Sequence, residues 1–75
     1  MKHERIEINP KVMVGKPVIK GTRLTVELIL RKLGAGMTED QIRAEHPRLS
    51  QGDILAALAF AADYMRDEDS VIDAA

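Results

Sequence analysis

The stretch Met37-Thr38-Glu39-Asp40-Gln41-Ile42-Arg43-Ala44-Glu45-His46-Pro47-Arg48-Leu49-Ser50-Gln51-Gly52-Asp53-Ile54 decides the fold, because it writes one helix-start signal twice. Thr38 is a capping residue, and Gln41 stands three positions on, where its amide can return to the Thr38 backbone N–H. Met37 and Ile42 flank that box as a hydrophobic staple. Ser50 and Asp53, flanked by Leu49 and Ile54, repeat the arrangement. Pro47 biases His46 away from helical dihedrals and so separates the two helices. The first is short; the second runs from Ser50 to about Arg66.

Working toward the N-terminus, Thr25 caps a further helix. Its Val26, Ile29, Leu30 and Leu33 fall on one face, and Glu27 and Arg31 pair at i,i+4. Gly34 is read as its end, with Gly36 adding slack. Before it, Ile6 and Ile8 alternate with Arg5 and Glu7 until Asn9-Pro10 breaks the pattern. Two apolar runs follow: Val12-Met13-Val14 ends at Gly15, and Pro17-Val18-Ile19 ends at Lys20-Gly21-Thr22-Arg23. Residues 5–24 therefore read as a small irregular β-hairpin with a loop around Asn9 to Lys16. The expected class is mainly α: one domain over 1–75, with the hairpin at 5–24, a three-helix core at 25–66 and an acidic tail at 67–75. The second and third helices form the pair of a helix-turn-helix.

A chain of 75 residues leaves much of its surface in water and usually gains a staple. There are no cysteines, so disulfides and thiolate zinc sites are excluded, and association is the staple expected. The missing cysteines also suit a cytoplasmic location. No stretch is apolar enough to span a bilayer, and Met1-Lys2-His3-Glu4-Arg5 does not read as a secretory signal. The net charge of -1 hides a polarity along the chain. Residues 1–36 carry eight basic and three acidic side chains, a net of +5; residues 37–75 carry three and nine, a net of −6. Such asymmetry suits a basic surface for phosphates and an acidic one for a basic partner, or attraction between the halves within one molecule or across a dimer.

The third helix is apolar nearly all round: from Ile54 to Met65 only Asp63 is polar in kind. A helix of that sort is covered on more than one side. The inward stripe is expected at Ile54, Leu58, Ala61, Ala62 and Met65, leaving Ala56, Ala59, Phe60 and Tyr64 for a homodimer or a partner protein. As a DNA-reading helix it offers the bases little beyond Gln51, with Arg48 just before it. Basic charge for phosphates lies instead at Lys11, Lys16, Lys20 and Arg23. Arg23 is equally suited to satisfy several hairpin carbonyls.

No catalytic constellation emerges. His3 and His46 form no ligand pair; His3 is read as part of a mobile terminus, and Glu45 and His46 as pointing to different sides of a helix. Asp63 and Asp67 are read as solvated. Gly15-Lys16 and Gly21-Thr22 are out of order for a phosphate loop. No enzyme, cofactor, metal or small-molecule substrate is expected.

The string Gly15-Lys16-Pro17-Val18-Ile19-Lys20-Gly21-Thr22-Arg23-Leu24-Thr25-Val26, then Gly36-Met37-Thr38, Pro47-Arg48-Leu49-Ser50 and Asp53 to Leu58, resembles the domain-of-unknown-function 433 family from about Ile6 to Tyr64. Val14 departs from it, standing where that family often has a second glycine. The resemblance implies a β-hairpin followed by a homeodomain-like helix-turn-helix core. It implies a small prokaryotic DNA-binding antitoxin of a type II toxin–antitoxin pair (VapB-like), neutralising a PIN-like ribonuclease toxin. Asp67-Glu68-Asp69 with Val71 and Ile72 would then be the segment that folds onto the toxin. The alternative is a homodimeric interaction module that binds no DNA.

Overall fold

The computed structural model describes residues 3–69, with side chains to Arg66. In chain order it holds strand β1 (Ile6–Glu7), a single turn at Met13–Gly15, strand β2 (Val18–Ile19), and helices α1 (Val26–Gly34), α2 (Glu39–Glu45) and α3 (Gln51–Asp69). The architecture is small and mainly helical, with a short antiparallel N-terminal hairpin, as the sequence pattern requires. β1 and β2 pair with Ile6 opposite Ile19 and Glu7 opposite Val18. The second strand is bonded on its other edge too: Ile19 N–H donates to the Leu24 carbonyl at 2.9 Å and Val26 N–H to that of Pro17 at 2.9 Å. That double pairing hands the hairpin directly into α1 and buries Val18 and Ile19.

Each helix starts where its cap dictates. Thr25 Oγ1 accepts from Leu28 N at 3.0 Å. Thr38 Oγ1 accepts from Gln41 N at 3.1 Å while Gln41 Oε1 accepts from Thr38 N at 2.8 Å. Ser50 Oγ accepts from Asp53 N at 3.1 Å and Asp53 Oδ2 from Ser50 N at 3.0 Å, so the second box is closed as well. α1 ends at Gly34 as expected, and Gly36 does more than add slack. Gly34 is its last helical residue, and Gly36, at φ 97, is the left-handed residue past the end. Gly36 N–H bonds the Leu33 carbonyl and Met37 N–H that of Lys32, a Schellman closure that needs a glycine at that position.

The core is one cluster: Ile19, Val26, Ile29, Ile42, Leu49, Ile54 and Ala57, with Ile6, Leu24, Leu30, Leu33, Met37 and Phe60 packed around it. All three helices and the hairpin contribute. α3 turns a different face inward from the one expected. Ile54, Ala57 and half-buried Ala61 face the core, whereas Leu58, Ala62 and Met65 are exposed. The reason is burial: Ile54 and Ala57 join the cluster of Ile19, Val26, Ile29 and Ile42, Phe60 packs against it, and Asp53, also buried, bonds Arg5.

The run Val12-Met13-Val14 is not a strand. Met13, Val14 and Gly15 all take positive φ (50°, 57° and 80°), giving two overlapping left-handed turns closed by Gly15 N to Val12 O and Lys16 N to Met13 O, each 3.1 Å. Val14 points almost wholly into solvent, 93% exposed. A β-branched residue is strained there, and a glycine would not be.

Candidate functional site

Two surfaces stand out among the described residues. The first is an open groove of about 680 Å³ between the hairpin turn Gly21–Leu24 and the α2–α3 connection Glu45–Arg48, with Glu7 and Val12 completing its wall. The connection is held open by sequence: α2 stops at Glu45, His46 adopts φ -129 and ψ 80, and Leu49 N–H closes onto the His46 carbonyl at 2.9 Å. Glu45 and His46, expected to point apart, both border the groove because the chain leaves the helix between them. His46 Nε2 is enclosed without a hydrogen-bond partner among the described residues.

The opposite wall is set by Thr22. Its hydroxyl donates to the Ile19 carbonyl at 2.7 Å and accepts from Leu24 N at 3.0 Å. The hairpin carbonyl that Arg23 was expected to satisfy is therefore taken by a threonine, and the Arg23 side chain is free to face outward. Arg23 and Arg48 stand on the two walls of one groove, and neither is ion-paired among the described residues. The Glu45 carboxylate on the same rim is neutralised by Lys32 Nζ at 2.6 Å, and that hydrogen bond holds its pKa below the usual carboxylate value.

The six basic or polar candidates thus separate. Arg23 and Arg48 come together. Lys11, Lys20 and Gln51 are exposed. Lys16 is drawn away to α1, where its Nζ sits 3.2 Å from Glu27, which also receives Arg31 at 3.0 Å. Those two bonds, Arg31 first, lower the Glu27 pKa. A base-reading role for the start of α3 meets a further obstacle: Asp53 and Ala57 are buried, and the Arg5 guanidinium lies over Gly52.

The second surface belongs to α3. Leu55, Leu58, Ala59, Ala62 and Met65 recur at helical spacing and are exposed; Leu55 and Met65 leave 52% and 55% of their area in solvent. Of the residues expected at an interface, Ala59 and Tyr64 are exposed and Ala56 is half-buried. Phe60 packs against the core, its ring edge-on to His3 with centroids 5.3 Å apart. His3 is correspondingly fixed rather than free, with Nε2 2.8 Å from Asp63 Oδ2. Tyr64 and Met65 overhang α1 and enclose an open apolar groove of about 340 Å³ with Pro17, Val26 and Leu30. Val71 and Ile72 lie outside the described residues. Among the described residues no three metal-ligating side chains cluster, and no helix is long and apolar enough to cross a membrane.

A hairpin bonded into a capped three-helix core, with its charge on grooves and its oil on one helix face, defines a small mainly helical domain. The chain belongs to the family described as Protein of unknown function (DUF433), whose model matches residues 6–61. An uncharacterized protein of Archaeoglobus fulgidus is 61% identical over 28 residues, which is 37% of this chain and 78% of that protein. The crystal structure of a DUF433 member protein from Anabaena variabilis matches with a TM-score of 0.78 and 26% identity over 88% of this chain. The chain spans 65% of the length of that relative.

Proposed function

We propose that this protein is a non-catalytic docking module of the antitoxin type, a cytoplasmic dimer that sequesters a nuclease toxin and contacts DNA phosphates. The observation that carries the reading is the outward apolar stripe of α3. Leu55, Leu58 and Met65 are exposed in a chain whose core holds only a few large residues. About half of each side chain remains in solvent, so covering each would contribute about 1 kcal/mol, a useful term for a small domain. Exposed Lys11, Lys20, Arg23 and Arg48 supply charge for phosphates. Phosphate contacts of this kind make affinity steeply salt-dependent.

The test pairs the protein with the product of an adjacent ribonuclease gene and measures RNA cleavage. Stoichiometric inhibition that Leu55→Glu abolishes is the expected result; undiminished cleavage by a ribonuclease that never co-purifies would overturn the antitoxin reading. The second reading, an assembly module without DNA affinity, is favoured by the scarcity of base-reading groups at the start of α3. A mobility shift on the upstream DNA at two salt concentrations separates the two: phosphate binding gives a shift that weakens with salt, and the assembly module gives none at either concentration.

A further inference from the structure

We infer that the segment Asp67–Asp73 of a second copy occupies the groove between Arg23 and Arg48, in a two-fold dimer whose α3 helices pack antiparallel.

Charge supports it first. The groove carries two guanidinium groups, neither ion-paired among the described residues, against one carboxylate without a counter-ion, Glu7, since Glu45 is held by Lys32; its balance is positive. The segment Asp67-Glu68-Asp69-Ser70-Val71-Ile72-Asp73 offers four carboxylates around an apolar pair. Val12, Leu24 and Pro47 give the groove an apolar lining to receive that pair.

Reach then excludes the chain's own segment. No residue of α3 lines the groove, which ends at Arg48, just before the helix begins. The 19 residues of α3 extend about 28 Å at 1.5 Å per residue. Asp73 lies four residues beyond Asp69 and so returns about 14 Å at most. The segment cannot come back to its own groove.

A second copy removes the difficulty. The exposed stripe is symmetric about position 60: in an antiparallel pair Leu55 falls opposite Met65 and Leu58 opposite Ala62, a large residue against a small one. In that register Gln51 stands opposite Asp69, so α3 of one copy ends beside the start of its partner's α3. The acidic segment therefore arrives beside Arg48 and at the positive end of the partner's α3, where carboxylates are favoured. One arrangement covers the stripe and fills both grooves, and its isologous symmetry limits it to two chains. Phosphate and the acidic segment would compete for the same arginines.

The experiment uses the purified full chain in sedimentation equilibrium at about 50 and 500 mM NaCl. A dimer that weakens at least about tenfold at high salt is expected. Arg23→Glu with Arg48→Glu, and separately Asp67→Lys, Glu68→Lys and Asp69→Lys, should each weaken it comparably. Mixing the two reversed chains should restore a one-to-one pair. A dimer indifferent to salt, a mixture no tighter than its components, or a wild-type monomer would overturn the inference. Circular dichroism confirms folding; should either reversal unfold, the Arg→Gln and Asp→Asn forms take its place and must weaken association. No toxin or DNA enters the measurement: a dimer indifferent to salt and to charge reversal overturns this inference alone, a monomer also removes the dimer from the antitoxin reading, and toxin inhibition is read separately by RNA cleavage.

Discussion

The Arg5 guanidinium donates to Asp53 Oδ1 at 3.0 Å, so the strand that opens the chain is tied to the first turn of its last helix. The same carboxylate accepts the Ser50 N–H, and Gly52 leaves room for the arginine to cross the helix end. One side chain thus helps to cap α3 and ties it to the N-terminal hairpin.

Replacing Asp53 by Ala should cost about 1–2 kcal/mol, the range for losing a helix cap, and lower Tm by several degrees. Burial disfavours the Asp53 carboxylate, but the Ser50 bonds and Arg5 outweigh it and hold its pKa below the ordinary value. The folded pKa lies below the unfolded one, so this stabilisation is full above about pH 4 and fades as pH falls further. Thermal melts of wild type and Asp53→Asn should converge between about pH 5 and pH 2.

Gly52 answers to Arg5. A Cβ there would sit 3.1 Å from the guanidinium carbon, so Gly52→Ala must displace a flexible group while gaining helix propensity. Alone, the change should move stability by less than about 0.5 kcal/mol; with Arg5→Ala it should stabilise by about 0.5–1 kcal/mol. A double-mutant cycle in urea reads the coupling, and additive effects would show that the two residues do not compete for space.

Val14→Gly relieves a left-handed conformation that costs a side chain about 1–2 kcal/mol, less the extra entropy that glycine loses on folding. A net gain of about 0.5–1 kcal/mol in urea unfolding is expected. Unchanged stability would mean that the loop relaxes around valine.

Thr22 and Arg23 are neighbours with opposite roles. Thr22→Val removes both hydroxyl bonds of the turn and should cost about 1–2 kcal/mol. Arg23→Ala touches no bond of the fold among the described residues and should leave Tm unchanged while weakening acidic-segment or phosphate binding. A large loss of Tm in Arg23→Ala would return the arginine to a structural role.

On α3, Ile54 and Leu55 should behave as opposites although adjacent. Ile54→Ala opens a cavity in the core and should cost about 2–5 kcal/mol. Leu55→Glu should cost under about 0.5 kcal/mol and appear only in association, read by light scattering against concentration.

The local grammar was legible in the chain alone. Thr38 with Gln41 and Ser50 with Asp53 mark helix starts because a capping side chain and its target lie three residues apart, and Pro47 must break what precedes it. The hairpin, the three helices and the Glu27–Arg31 pair follow from the same short range. Rotation of α3 did not, because an apolar helix has no single stripe to read, and packing against Ile19, Val26 and Ile29, far away in sequence, chose its inward face. Nor did the left-handed turn at Val14, where local preference opposes the conformation. Arg23 and Arg48 were each visible as charges, but their meeting across one groove depends on how a hairpin turn packs beside a helix connection. Spacing along the chain therefore settled which elements form, since caps and turns act within four residues. Only tertiary packing settled which faces they show, since burial is decided by residues far apart in sequence.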